Sequence, residues 1–362
     1  MPEAALAQTA TYSAVPTVKV DGQANDKVTT QLLSMDMREQ EAGLASLELR
    51  LRNFGLFSSG SGGFVFEDGA VIALGTSIDV YAGDVTSPTE IFRGKVTALE
   101  GRYPSNGPPD LVVLAEDALQ SARMKRATKT WDNATLSGIV AHVAANAGLS
   151  PVTSGLDDGI GTQVQFNETD LHFLRRLLAR YDADLRVVGT ELHAAPRSQA
   201  QSTAVEIDLN SQLRELRVIA DLAEQVTAVT TTGWDYQQGS TISATSATTS
   251  LGPGAGRSGS DWLQQAFTTR SDQLGAFAAN DQTEAQALAD AELAERARRF
   301  VVAHGVAEGN PNLRVGSLLT LGGLGPRFSN TYYTTATVHH YDQNGGYETR
   351  FTAECAYLGS GS

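Results

Sequence analysis

Hydrophobic positions alternate with a period of two over much of the chain. The clearest case is 47–52, where Leu47, Leu49 and Leu51 are interleaved with Glu48, Arg50 and Arg52; such a strand lays one face on a core and the other in water. Strand patterns cover 15–20 and 27–54, then return at 70–82, 90–99 and 111–115 between clusters of Gly, Pro, Asn and Asp. Short strands without long helices predict a β-barrel or sandwich for residues 1–128.

Near residue 130 the period changes. Leu136, Ile139, Val140 and Val143 fall at helical spacing, with Asp132 or Asn133 as a cap and Gly148 as a stop. In the segment FNETDLHFLRRLLARYDADLRVVG, Leu171, Leu174, Leu177, Leu178 and Tyr181 form one stripe behind a cap at Asn167 or Thr169. Arg175, Arg176 and Arg180 lie off that stripe and read as solvated surface, with a basic contact patch as the alternative. Strand character returns through Leu185, Val187 and Leu192, so 129–200 is expected to be a small α+β module.

Residues 201–362 are expected to form a second β domain. Its strands begin at 204–209 and 213–234. From Gly239 to Ser260, 19 of 22 residues are Gly, Ser, Thr, Ala or Pro, a composition that predicts a flexible inserted loop. A helix at 283–302 follows, then strands ending in a hairpin across Gln343-Asn344-Gly345-Gly346. The fold class is therefore α+β, mainly β. No sequence repeat relates the two β units.

A net charge of -14, from 27 Lys+Arg against 41 Asp+Glu, argues against stable nucleic-acid binding, which needs clustered cations. A lone cysteine, Cys355, permits no intrachain disulfide and no Cys-based zinc site. The start lacks the basic and apolar runs of a secretory signal, and no stretch approaches the roughly 18 apolar residues of a membrane span, so cytoplasmic assembly is expected.

Candidate chemistry is sparse. His339-His340-Tyr341-Asp342 could suggest a metal, but successive strand residues point to opposite faces. His142, His172, His193 and His304 are scattered. The acid pairs Asp157-Asp158 and Glu206/Asp208 have no fixed separation that would suit glycoside cleavage. Cys355 reads as a small buried hydrophobe, and the glycine runs at 58–63 and 252–256 lack the Lys-Ser/Thr of a phosphate loop. No catalytic, cofactor-binding or metal residue is nominated, and no enzyme activity is expected.

Four segments carry a resemblance. They are IFRGKVTALEGRYP at 91–104, WDNATLSGIVAHVAANAGLS at 131–150, FNETDLHFLRRLLARYDADLRVVGTELHAAP at 166–196, and the run from Gly309 through Gly345-Gly346-Tyr347. In that order they resemble the phage late control D family and the hub portion of VgrG spikes. The resemblance implies two tube-like β domains per chain and a homotrimeric ring that adapts a hexameric inner tube to a trimeric spike. It implies as partners a separate spike protein, the tube protein and other baseplate wedge or LysM-type adaptor proteins. Part of the acidic charge would line the channel. The alternatives are a cell-wall hydrolase of the puncturing apparatus and a surface-binding adhesin.

Overall fold

The computed structural model describes residues 12–56, 61–199, 203–235, 238–279 and 281–359. In the first unit, strands β1 (Tyr12–Val20), β2 (Leu32–Gln40), β3 (Ser46–Arg52), β4 (Ser77–Asp84), β5 (Thr89–Arg102) and β6 (Asp110–Glu116) pair antiparallel in the order β2-β3-β6-β5-β4-β1. Leu47, Leu49 and Leu51 point into the core, as their alternation predicts. One part of the expected 27–54 strand run is helical instead. Asn25 accepts a hydrogen bond from the Val28 amide at 3.1 Å and nucleates a short helix at Asp26–Gln31, overriding the strand preference of its threonines.

The middle unit comprises β7 (Arg126–Trp131), α1 (Leu136–Ala147), β8 (Ser150–Thr153), β9 (Gln163–Thr169), α2 (Asp170–Arg180), β10 (Ala183–Val188) and β11 (Glu191–Pro196). Strands β8, β11 and β10 form one sheet, β7 and β9 a separate ribbon. Both helices bury their predicted stripes in a common core. Thr135, not Asp132 or Asn133, caps α1, and Gly148 ends it at φ 72°. Thr169 caps α2.

The last part contains β12 (Ala204–Asp208), β13 (Leu213–Ala220), β14 (Ala228–Asp235), β15 (Ser240–Ser246), β16 (Ser271–Ala279), α3 (Gln282–Arg298), β17 (Val301–Glu308), β18 (Leu318–Gly322), β19 (Asn330–Asp342) and β20 (Gly346–Cys355). Much of the expected flexible loop at 239–260 is ordered. Strand β15 pairs with β14, burying Ile242, Ala244 and Ser246 on alternate positions beneath α3. Its small residues conceal the period-two signal. Farther on, Pro253-Gly254 lies over Cys355, where a Cβ at Gly254 would stand 2.6 Å from the thiol. That glycine run is a close-packed strap.

The hairpin β19-β20 belongs to both β units. Near its start, β19 pairs with β18 from Asn330 to Tyr333. Beyond a bulge at Thr335 it pairs with β2, from Ala336↔Gln40 to Asp342↔Ser34. Strands of both β units thus join one thirteen-stranded sheet, running β13-β17-β20-β19-β2-β3-β6-β5-β4-β1 and ending on the two-residue strand Gln23–Ala24 beside β1, with β18 and β12 as a side branch; β15, β14 and β16 form a separate three-stranded sheet. Tyr332 is buried in the core of the last unit, whereas Tyr341 and Tyr347 pack with Val18 and Val20 of the first.

Gly309 explains one feature of the C-terminal motif. A Cβ there would fall 2.1 Å from the Tyr347 ring. Gly309→Ala is expected to destabilise the protein by about 1–3 kcal/mol through overpacking, measured as a lower urea midpoint without a change in the slope of the transition.

Candidate functional site

The most elaborate arrangement of polar groups lies where the three units meet, around the connection between β2 and β3. Ala42, Gly43 and Leu44 all adopt left-handed backbone, with φ of 66°, 73° and 70°. For the two non-glycine residues this conformation costs roughly 1–2 kcal/mol each. It persists because its neighbours fix it. Arg175 on α2 donates to the carbonyls of Ala42 and Gly43 at 2.7 and 2.5 Å. Asp184 accepts from the Ala42 amide at 3.0 Å, and Asp117 from the Ala45 amide at 2.6 Å. Leu44 packs on the core of the middle unit. The turn is a plug that fastens the first unit into the second.

Ion pairs extend this seam. Glu39 receives a two-pronged contact from Arg314 at 2.7 and 2.6 Å, the Val315 amide at 2.8 Å and the Thr337 hydroxyl at 3.0 Å. Asp182 holds Arg298 through two bonds of 2.6 Å. Arg180 reaches Glu284 on α3 at 2.7 Å. Arg197 sits between Glu41 and Glu354 with its guanidinium 4.6 Å from the Tyr333 ring centroid, and the Tyr333 hydroxyl bonds Asp184 at 3.3 Å. The arginine contacts and the Tyr333–Asp184 bond all cross between units.

Electrostatics divide the acids. Burial alone would raise the Glu39 carboxyl, but the Arg314 guanidinium and the donated hydrogen bonds hold it below the ordinary glutamate value. Burial pushes Glu41 up to about 8; Arg197 opposes the rise, while Asp184 and Glu354 add to it. Burial likewise pushes Asp117 up to about 6, despite the amides it accepts from.

The arginines of α2 therefore depart from the solvated-surface expectation. Arg175 and Arg180 are structural fasteners, and Arg176 turns back to Glu168 at 3.1 Å. Helical periodicity shows that they leave the stripe; it does not show what stands opposite. His339 and His340 do point apart. His339 is buried, 2.7 Å from the Tyr347 hydroxyl, and burial pushes it down to about 3. His340 lies 2.8 Å from Asp36 and 3.1 Å from Asp342.

The other candidates are not brought together. His142 neighbours Asn146 and Trp131, His193 neighbours Glu191, and His304 neighbours Thr352. His172 is exposed on α2; Asp157, Asp158, Glu206 and Asp208 are exposed. Cys355 is buried, which pushes its thiol up to about 11. Residues 58–60 of the first glycine run lie outside the described residues. Among the described residues no group of three or more His, Cys, Asp and Glu side chains is arranged so that it could hold a metal ion, the two carboxylates at His340 lying on different ring nitrogens, and no helix is long and apolar enough to cross a membrane.

Two outcomes test the seam. Arg298→Ala leaves Asp182 without its partner and should cost about 3–5 kcal/mol, read by chemical denaturation. For Glu41, the folded state keeps its proton to about pH 8 while an unfolded glutamate releases it near 4.5. Folding therefore takes up a proton across that window, and the group's contribution to stability falls as pH rises through it. Glu41→Gln should match the wild type in melting temperature at pH 5 and exceed it at pH 8.5; parallel curves would contradict this.

A family model described as the Alg8 N-terminal domain matches residues 11–343. No curated protein sequence matches the chain. Among solved structures, the prophage MuSo2 43 kDa tail protein from Shewanella oneidensis superposes at a TM-score of 0.67 with 12% identity, covering 94% of this chain and 97% of that one. A tail protein from Neisseria meningitidis MC58 gives 0.67 and 10%, with 94% and 96% covered. The E. coli c3393 protein, a type VI secretion component described as structurally similar to T4 bacteriophage tail proteins gp27 and gp5, gives 0.59 and 12%, with 95% and 79% covered. At these identities the likeness is one of fold.

Proposed function

The chain belongs to the Alg8 N-terminal domain family, and we propose that its two β units, fused through one hairpin, make it the structural baseplate hub of a contractile phage tail or injection system. In this reading, which keeps the late control D resemblance, three copies present six β units to a hexameric inner tube and a threefold end to a separate spike. Wedge or LysM-type adaptor proteins would bind around it. The fused sheet is the observation that carries the proposal. An adaptor must transmit load between rings of different symmetry, and a β unit that moved independently of its neighbour would not. The tail-protein folds of the structural neighbours support the same reading.

Function here resides in shape and surface, not in a reaction. The candidate histidines and carboxylates are dispersed, and the polar cluster that does exist is consumed by contacts between units. The net charge of -14 per chain supports an acidic channel wall that repels nucleic acid or acidic cargo.

Light scattering after size exclusion should give about three times 38.3 kDa, with co-elution when the machine's own tube protein is added. A stable monomer that also fails to join tube protein would overturn the proposal. Clearing of cell-wall suspensions by the purified protein would favour a hydrolase instead.

A further inference from the structure

The two β units repeat one plan. In the first, β2 to β6 lie in the order β2-β3-β6-β5-β4; in the last, β13, β17, β18, β19 and β20 lie in the order β13-β17-β20-β19-β18. Register agrees as well as order. Strand β5 bulges at Thr97 and β19 at Thr335, and each bulge hydroxyl donates to a carbonyl across the ladder, Leu114 at 3.3 Å and Thr352 at 3.2 Å. Just before its bulge, Val96 donates to the Thr76 carbonyl and accepts from the Gly75 amide; Thr334 does the same with Ser317 and Gly316. Strands β2 and β13 also share a bulge beside their first paired residue, at Leu33 and Arg214. Aligning the bulges equates Ala98–Tyr103 with Ala336–Tyr341, and Leu216–Leu222 with Met35–Glu41.

One difference breaks the repeat. Past its bulge, β19 carries β20 on one side and β2 on the other. Strand β5 carries β6 on one side, but among the described residues no strand lies along Thr97–Arg102 on the other. Strand β13 pairs with β17 alone, so the edge that corresponds to the β19 side of β2 is open as well. Side chains show the consequence: Tyr341 is 6% and Thr337 1% exposed, whereas their counterparts Tyr103 and Leu99 are 65% and 39% exposed. An open ladder of N–H and C=O groups selects a strand as its complement. The repeat identifies that strand, because β13 stands to β5 as β2 stands to β19. Six strands separate β5 from β13 within the sheet, so the complement comes from another copy. Every pairing along the eight strands from β13 to β5 is antiparallel, so the two ends run in opposite directions and meet antiparallel between copies. The two edges differ, which makes the contact head-to-tail and able to close into a ring.

We infer that the edge Ala98–Tyr103 of one copy pairs antiparallel with the edge Leu216–Asp221 of a second copy, repeating between chains the junction that β19 and β2 make within one. The inference rests on the oligomeric hub reading and gives its contact a register. The pairs Ala336↔Gln40 and Val338↔Arg38 transfer to Ala98 opposite Asp221 and Glu100 opposite Ile219. The bond from the Glu41 amide to the Thr335 carbonyl transfers to the Leu222 amide and the Thr97 carbonyl. Leu99 falls opposite Ala220 and Tyr103 opposite Leu216, which covers both. Arg102 meets Arg217, a like-charge pair flanked on its own face by Glu100 and Glu215.

The test is disulfide trapping. Glu100→Cys/Ile219→Cys sets two thiols opposite each other at a non-hydrogen-bonded position, where Cα atoms stand about 4.5 Å apart, within disulfide reach. Under mild oxidation this variant should run as covalent multiples on a denaturing gel, and so should the next matched pair, Ala98→Cys/Asp221→Cys. The shifted pair Glu100→Cys/Val218→Cys, whose thiols point to opposite faces, should give about ten-fold less product. The wild type, whose single thiol Cys355 is buried, should stay unlinked. Unchanged circular dichroism verifies each fold. A wild-type oligomer by light scattering in which neither matched pair links, or both link no better than the shifted pair, overturns the edge contact and leaves the hub reading standing. A wild type that stays monomeric over a concentration series overturns both.

Discussion

One hairpin governs the architecture. Strand β19 has thirteen residues, about 43 Å of extended chain, more than a single small barrel needs. It uses its first part to close the last β unit and, past the bulge at Thr335, its second part to complete the first. The Glu41 amide donates to the Thr335 carbonyl at 2.9 Å at that crossing. Hydrogen bonding across one strand thus makes two hydrophobic cores mechanically continuous, although residues at opposite ends of the sequence build them. The expected partition into 1–128 and 201–362 follows the chain. The sheet does not.

The ionic seam is the second device, and its energetics differ from those of the hairpin. Burying a carboxylate and a guanidinium costs several kcal/mol per ion, and good geometry recovers roughly that amount. Net stability is therefore not its main product. What the pairs supply is directional registration: a planar guanidinium accepts few orientations, so Arg314 on Glu39 and Arg298 on Asp182 fix angles between units that apolar contact would leave loose. The left-handed turn at 42–44 adds the same quality by inserting a strained, well-determined plug.

Strong local patterns made much of this fold legible in the sequence. Leucine alternation at 47–51 located a core strand, and the stripe from Leu171 to Leu178 located α2. Gly148 and Thr169 marked helix ends because a left-handed stop and a hydroxyl cap are local requirements. Where the signal was weak or nonlocal, the expectations departed from the structure. In β15, alanine and serine do the work of larger apolar residues, so composition suggested a loop. Arg175 and Arg180 were visible as off-stripe cations, but their partners at Ala42, Gly43 and Glu284 are more than a hundred residues away in the chain. The pairing of Ala336–Asp342 with Ser34–Gln40 is likewise nonlocal, since alternation specifies a strand's face and not its neighbour. The seam itself leaves one trace in the sequence: acids and arginines at strand ends and turns, Glu39, Glu41, Asp182 and Arg197, residue types that ordinarily stay solvated.

The two β units are one body, joined through a single shared hairpin. Native-state hydrogen exchange across a denaturant series measures this directly, by following amides of β2 and β6 in the first unit and of β17 and β18 in the last. A shared hairpin predicts that these amides merge into a single opening transition with one midpoint and one free energy. Separate transitions, with one unit exchanging fully while the other stays protected, would contradict it.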